Sequence, residues 1–588
     1  MKFSVWAPEA KSVELIIGAR RIALQAQGGH WQGEAVLRAD EGYRFSLDGG
    51  APLPDPRSRW QRDGVHGASF AVDAESLRAA APAAESAGFQ ALPLRDAIVY
   101  EMHVGTFTTA GTYRAARDRL AHLKTLGVTH VELLPLASFP GNHGWGYDGV
   151  DLYAPLPAYG TPQELAEFVA ACHGAGLAVL LDVVYNHLGP DGNYIGRFGP
   201  YFTDRYKTGW GAAVNYDGPQ SDAVRRFVID NALMWLRDYQ FDGLRLDAVH
   251  AIFSFDAIHV LEELATAVKQ LAAESRRNLV VIAESDLNDP RLVRAVSQGG
   301  LGMDAHWCDD FHHALHRFFT GETAGYYADF NGLGDVATAL REGYVYQGQY
   351  SVHRQRQHGR APRGIGSDQL VVCAQNHDQI GNRAQGERLS MMLGQAQLKA
   401  IAALTLLAPF VPMLFQGEEW GARTPFLYFT DHNEELGRLV AEGRAREFSS
   451  FKWQGEVPNP QDPDTFLRSK LDWNELDRAQ HAELLEWHRQ LIALRRSRTF
   501  GNATRSRPVV KFSVPKLWLT YVHGGVLAVF NFADLPQRVP MPAGEWEPVL
   551  ASETRFTDKA AAREVPAGGT LIYEKRMGVR GLPPRESG

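Results

Sequence analysis

The sequence predicts a multidomain α/β protein in which a central (β/α)8 TIM barrel is flanked by an N-terminal β-sandwich and a C-terminal all-β domain. Three observations predict it. Eight short apolar runs recur between residues 97 and 415, separated by segments of helix length. Those segments each carry one apolar stripe, so they cover strands from one side, as helices do around a parallel sheet. Strict alternation of apolar and polar residues, the mark of half-buried strands, is confined to the two ends of the chain. A closed barrel absorbs about 250 residues or more. That suits a chain of 588 residues better than one compact core would.

In residues 1–90, "FSVWAP", "SVELII" and "GYRFSLDG" alternate between Gly, Pro and Asp turn signals, which gives the small sandwich. The stretch "AESLRAAAPAAESAGFQALPLRD" then loses the alternation, placing the boundary near 90. The barrel, residues 91–498, takes its strands from "AIVYEMHV", "VTHVELLP", "LAVLLDVVYNH", "FDGLRLDAVH", "NLVVIAES", "GMDAHWCDD", "QLVVCAQNHD" and "FVPMLFQGEE". In "TPQELAEFVAACHGAG", Thr161 caps the first turn of a helix and Pro162 takes its first position. Leu165, Phe168, Val169 and Cys172 then form its inward stripe. The apolar run at 400–415 contains two prolines and is short for a membrane span, so it reads as a buried helix entering a buried strand. Residues 188–218, 343–368 and 421–478 read as long loops, and long loops on a barrel tend to carry function. A helix near 479–497 closes the ring. The C-terminal β-domain, 499–588, returns to alternation in "WLTYVHGGVLAVFNF".

Composition narrows the function. A formal charge of -8 and a pI near 6.2, without a long basic tract, speak against nucleic acid as a partner. Cys172, Cys308 and Cys373 are odd in number and widely spaced, so they are expected as small buried hydrophobes. The N-terminal "MKFSVWAPEAKSVELII" lacks the apolar core of a signal peptide. A cytoplasmic protein without a membrane partner is the expectation.

The chemistry gathers at strand ends. Arg245 and Asp247 close the fourth strand two residues apart, so both point to one side, at the C-terminal mouth of a barrel. Arg245 there keeps Asp247 ionised, although a purely structural ion pair is the competing reading. Glu284 closes the fifth strand. Asp182, Asn186 and His187 follow the third strand, and Asn376, His377 and Asp378 the seventh. Such polar groups are costly to gather without a ligand. No HxH or HExxH pattern is present, so neither a metal nor a cofactor is expected. Glycosyl chemistry uses the inventory better, because it needs a carboxylate nucleophile and a carboxylic acid flanking one carbon. His187 and His377 would then be neutral donors to sugar hydroxyls, with Trp145, Tyr147 and Tyr153 as platforms for pyranose rings.

Four stretches, "DVVYNH" at 182–187, "GLRLDAVH" at 243–250, "VIAES" at 281–285 and "QNHDQIGN" at 375–382, resemble the motif regions of the α-amylase superfamily, glycoside hydrolase family 13. The resemblance implies Asp247 as nucleophile, Glu284 as general acid/base and Asp378 as the clamp on sugar hydroxyls. It also implies Asp182 as support, His187 and His377 as binders of the sugar being cleaved, and Arg245 as the group orienting the nucleophile. The chain departs from the common amylase pattern after strand four, where His250 stands without the usual preceding Lys. No calcium-cage spacing follows strand three.

A narrower resemblance, to the maltooligosyltrehalose trehalohydrolase family, runs through "YEMHVGTFT", "GNHGWGYDGVDLYAP", "LRLDAVHAI", "AESDLNDPR" and "FQGEEWGARTPFLYFTDH" and covers nearly the whole chain. It implies a first domain like a carbohydrate-binding module. It implies hydrolysis of the α-1,4 bond between a maltooligosaccharide and a terminal trehalose unit, on substrate supplied by a maltooligosyltrehalose synthase. His250, Asp286 and residues 421–432 are then the candidates that read the trehalose unit. Two other classes share features: a glycogen branching enzyme, which transfers the glucan, and a noncatalytic α-glucan-binding protein, against which the three retained acids argue.

Overall fold

A computed structural model of the chain describes residues 1–38, 40–79, 88–450, 457–497, 507–553 and 564–575. Eight parallel strands close into a barrel in chain order: β1 (Val99–Met102), β2 (His130–Leu133), β3 (Ala178–Val183), β4 (Gly243–Leu246), β5 (Val280–Ala283), β6 (Ala305–Trp307), β7 (Leu370–Cys373) and β8 (Val411–Phe415). These are the eight runs read from the sequence. The ring closes where Met413 pairs with Val99.

The outer helices form where one-sided stripes predict them. In α1 (Pro162–Gly174) Thr161 makes a full capping box with Glu164, and Leu165, Phe168, Val169 and Cys172 are buried. Helix α2 (Ser221–Asp238) follows β3, α3 (Val260–Ser275) follows β4, and α4 (Asp309–Thr320) follows β6. Helix α5 (Gln395–Leu406) leads into β8, so the apolar run at 400–415 is a helix and a strand of the barrel. Helix α6 (Ala479–Ser497) packs on α5 and on the helix Leu120–Leu126, completing the outer layer.

Two three-stranded antiparallel sheets stand before the barrel, one holding Lys2–Trp6 and the other Val13–Ile17. They enclose Phe3, Val5, Val13, Leu15, Ile17 and Phe45. The unit is fastened to α2 by ion pairs from Arg57 to Asp230 and from Arg59 and Arg78 to Asp238. A five-stranded antiparallel sheet, Val509–Ser513 to Thr570–Lys575, follows the barrel and rests on α5. The change of unit placed at 498/499 and the interior of the Ala- and Pro-rich stretch, 80–87, lie outside the described residues.

The three long segments read as loops have secondary structure of their own. Residues 188–218 contain a hairpin of Phe202–Thr208 with Gly211–Val214, and 343–368 one of Gln347–Ser351 with Arg356–Gly359. Helices Glu434–Ser450 and Pro463–Arg468 lie within 421–478. The polar surface of these elements conceals their period from a reading that looks for apolar runs. Among the described residues, no helix is long and apolar enough to cross a membrane.

Candidate active site

Strand parity places the charges. Side chains at every second strand position point into the barrel, and Val99, Leu180, Ile282, Val371 and Met413 pack there as one apolar layer. Two residues further along the same strands stand Glu101, Asp182 and, after β5, Glu284. Parallel register sets Glu101 beside Glu132 and Asp182 beside Arg245. The upper barrel is therefore an ionic layer resting on an apolar one.

Arg245 is the hub of that layer. Its Nη1 donates to Asp182 Oδ2 and to Asp247 Oδ1, both at 2.8 Å, while its Nη2 lies 3.9 Å from Glu284 Oε2. The guanidinium sits 4.1 Å from the ring centre of Trp307, a cation–π contact strengthened by burial. Asn186 Nδ2 donates to the other oxygen of Asp247 at 3.1 Å. Both carboxylate oxygens of Asp247 are thus held. Burial pushes the Asp182 carboxyl up to about 6 even though Arg245 opposes the rise.

The turn after β4 ties the two acids together. Ala248 adopts φ +39°, a left-handed conformation that costs a non-glycine residue free energy and so marks a site held by its surroundings. Its N–H donates to Glu284 Oε2 at 2.5 Å, and the N–H of Val249 donates to the Glu284 carbonyl at 3.0 Å. Burial drives the Glu284 carboxyl well above the usual range, Arg245 opposes this, and the negative charge of Asp247 adds to it. One acid is set up to hold a proton beside another kept in place by two donors.

A second chain of bonds enters from β1. Glu101 accepts from the backbone N–H of His377 at 3.0 Å, and its other oxygen lies 2.5 Å from His377 Nδ1. His377 Nε2 is 2.8 Å from the Tyr147 hydroxyl, which donates to Asp182 Oδ2 at 2.6 Å. Tyr147 stacks on the His377 ring. The turn before it requires Gly146, with φ +101° and a Cβ that would meet the Pro135 carbonyl at 2.4 Å. Trp145 forms the adjoining wall: its Nε1 donates to the Leu427 carbonyl at 2.9 Å, and its ring lies against Phe426. A Cβ on Gly381 would come within 2.0 Å of that indole.

Above these groups a hollow of about 340 Å³ is lined by Trp145, Tyr147, His187, Asp247, Glu284 and Asp378, among others. It runs past His250, Glu284, Asp309 and Asp378 into a second hollow of about 410 Å³, which Asp286, Glu322, Tyr326, Arg354 and Arg383 help to line. Asp286 pairs with Arg354 at 2.7 Å. Burial works to raise the Asp286 carboxyl, but Arg354, His250 and His358 bring it below the usual range. Arg383 grips both oxygens of Glu322, each at 2.8 Å.

Of the residues singled out in the sequence for chemistry, all but Asp182, Asn186 and Tyr153 line this groove; Asp182 supports it through Arg245 and Tyr147, and Asn186 through Asp247. Some details differ from expectation. Tyr153 is buried, with its hydroxyl bonded to the Phe227 carbonyl at 2.6 Å, so it is core and not a sugar platform. Both ring nitrogens of His377 already have protein partners. Of residues 421–432, Tyr428, Phe429 and Thr430 line the first hollow, away from the second where Asp286 stands.

Several groups escaped the sequence reading. Glu101 was signalled only by an acid inside the apolar run "AIVYEMHV". Asp309, pushed up to about 7 by burial with Asp378 adding to the effect, was signalled by the doubled acid after "AHWC". Trp210, at the tip of the first hairpin, stacks on His187 with ring centres 4.7 Å apart. Nothing in the spacing of Asp286 and Arg354 announces their pairing.

Known proteins resemble the chain over most of its length. Residues 87–207 match the alpha amylase catalytic domain. A malto-oligosyltrehalose trehalohydrolase of Rhizobium sp. (strain M-11) is 48% identical over 92% of this chain and 92% of its own. One from Arthrobacter ramosus is 48% identical over 90% of this chain and 96% of its own. A crystal structure of a protein from Salmonella typhimurium superposes with a TM-score of 0.88 at 36% identity, covering 98% of this chain and 97% of that one.

Proposed function

The chain belongs to the malto-oligosyltrehalose trehalohydrolase family of the α-amylase superfamily, and from that premise we propose how its residues carry out the reaction. The enzyme is a retaining glycosidase that cleaves the α-1,4-glucosidic bond next to the terminal trehalose unit of maltooligosyltrehalose, releasing trehalose and a maltooligosaccharide. The observation that carries the assignment of roles is the unequal pair on Arg245: Asp247 held by two donors, and Glu284 beside it with its carboxyl raised.

Glu284, protonated, gives its proton to the glycosidic oxygen while Asp247 attacks the anomeric carbon from the opposite face. The C–O bond breaks, trehalose leaves with that proton, and the glucan remains as an ester on Asp247. Glu284, now a carboxylate, takes a proton from water as the water oxygen attacks the same carbon. The ester bond to Asp247 breaks and the configuration is retained. Asp378 clamps the hydroxyls of the sugar at the cleavage point, with His187, Tyr147 and Trp145 shaping its pocket. His377 lines the same hollow against Tyr147, and Asp182 acts from behind its surface.

The leaving group belongs in the second hollow. Asp286 and Arg354 supply an acceptor and a donor there, beside His250, and a non-reducing disaccharide offers hydroxyls to both. A protein that bound glucan without turnover would not need a raised acid next to a held anion. Branching requires an acceptor glucan in place of water at the ester. Product analysis separates these readings: maltotriosyltrehalose should give maltotriose and trehalose, maltopentaose should be cut poorly, and no α-1,6 linkage should form. Branches, or equal kcat/KM on both substrates, would overturn the assignment.

The same reading takes residues 1–90 as a domain like a carbohydrate-binding module, 91–498 as the catalytic barrel and 499–588 as the C-terminal β-domain. It places the reaction in the cytoplasm, downstream of a maltooligosyltrehalose synthase. A coupled assay with such a synthase should convert maltopentaose to trehalose only when both enzymes are present.

A further inference from the structure

The bonds running from β1 to β4 have a direction. Tyr147 has one hydroxyl proton. It lies 2.6 Å from Asp182 Oδ2, an oxygen that also receives Arg245 Nη1 at 2.8 Å and so acts as an acceptor. With its proton given to Asp182, the Tyr147 oxygen can only accept from His377 Nε2 at 2.8 Å. His377 Nε2 therefore carries a proton. On the other side of the ring, one Glu101 oxygen accepts the backbone N–H of His377, and the other lies 2.5 Å from Nδ1. A carboxylate in that position calls for a proton on Nδ1 as well.

We propose that Glu101 is a positioning residue that holds His377 as an imidazolium, and that this cation fixes the chain Glu101, His377, Tyr147, Asp182, Arg245, Asp247 in one orientation. Each link has a single allowed sense, so the nucleophile on β4 is aimed in part from β1, on the far side of two intervening strands. His377 thereby serves the site as a fixed charge and orienter, not as the neutral donor the sequence suggests.

The surroundings support the charge. Glu101 and His377 are both buried, and a lone buried carboxylate would be costly, whereas a paired one hydrogen-bonded on both oxygens is tolerated. Besides Glu101, the ionisable groups around the ring are Asp378 next to it, Asp182 and Tyr147 through the hydroxyl, Arg245 beyond them, and His103 across β1. Burial works against the charge on His377, but Glu101 and then Asp378 raise its pKa above the ordinary histidine value, against the opposition of Arg245. His103, whose pKa burial lowers to about 3, stays neutral and does not compete. Glu132 is the register partner of Glu101 and is also buried, and neither of its oxygens has a hydrogen-bond partner among the described residues. Burial, and after it the nearness of Glu101, raises the Glu132 carboxyl well above the usual range.

The inference rests on the proposed hydrolase reading only for its kinetic arm. Neutron diffraction from deuterium-exchanged crystals at neutral pH should show deuterons on both Nδ1 and Nε2 of His377. A single deuteron would overturn the proposal whatever the enzyme's substrate proves to be. In Glu101→Gln the charge that holds the second proton is gone, so the same experiment should show one deuteron. On maltotriosyltrehalose this variant should lose about ten- to a hundredfold in kcat, with KM little changed. Its alkaline limb should move to lower pH, because His377 deprotonates earlier. An unshifted pH profile, or a ring still doubly protonated in the variant, would overturn the proposal. Should Glu101→Gln fail to fold, the wild-type deuteron count decides alone. Two deuterons in a protein that releases no trehalose would leave this inference standing and sink only the substrate assignment.

Discussion

The two hollows of the groove are built in different ways. The first takes its reacting acids and their hub from strand ends, where Arg245 and, behind it, Asp182 are 2% exposed and meet fixed partners. The second takes its charges in pairs from connections distant in sequence, Asp286 with Arg354 and Glu322 with Arg383, and Asp286 and Glu322 remain 32% and 31% exposed. Bond-breaking needs reacting groups held to a fraction of an ångström, which strands provide better than loops. Recognition of a leaving group tolerates looser, wetter partners. On the proposed reading, chemistry belongs to one hollow and selectivity to the other.

The largest expected effect tests the chemical hollow. Glu284→Gln keeps the shape and removes the acid, so kcat should fall by roughly 10² to 10⁴, while calorimetry finds substrate affinity nearly intact. In the wild type, activity should be present while Glu284 holds its proton and fall as pH rises through its raised pKa. The variant should lack the part of the alkaline limb that Glu284 sets. A parallel collapse of affinity would place Glu284 in binding and blur the contrast.

An intermediate effect tests the selective hollow. Arg354→Ala leaves Asp286 without its partner and should cost about 1 to 3 kcal/mol in kcat/KM on maltotriosyltrehalose. The weak cleavage of maltopentaose should change little. Equal losses on both substrates would mean that the second hollow contributes to catalysis in general.

The smallest effect lies beneath both hollows. Glu132→Gln should change kcat less than about twofold, since the residue touches neither acid directly. Its signature is in stability. A carboxyl whose folded pKa is raised penalises the folded state increasingly as pH climbs above the unfolded value of about 4.3. The variant should therefore match the wild type near pH 4 and exceed it in denaturant resistance at higher pH. A constant difference at all pH values would show that Glu132 is ionised in the fold.

The same division explains what the sequence disclosed. Arg245, Asp247 and Glu284 were legible because a charge closing an apolar strand breaks a pattern visible within ten residues, and strand parity then gives its direction. All eight strands were legible for the same reason. The hairpins inside 188–218 and 343–368 were not, since both of their faces are largely polar and no period marks them. The pairing of Asp286 with Arg354 was hidden more deeply: it depends on where the second hairpin folds back, which only packing determines. Glu101 sits between these cases, an acid in plain view whose partner, His377, lies 276 residues away.

The seam between β8 and β1 has a consequence for the birth of the molecule. Leu414 pairs with Tyr100 and Phe415 with Glu101, so the ring cannot close until the eighth strand exists. A ribosome adding roughly 5 to 20 residues per second needs on the order of 16 to 63 s to travel from Val99 to Phe415. Throughout that interval one edge of the first strand presents unpaired N–H and C=O groups, the kind of edge that recruits strands from other chains. Nascent copies crowded on one message are therefore most exposed to mispairing before residue 415 emerges. Slowed translation downstream of it should be far less harmful than slowed translation within the preceding three hundred residues.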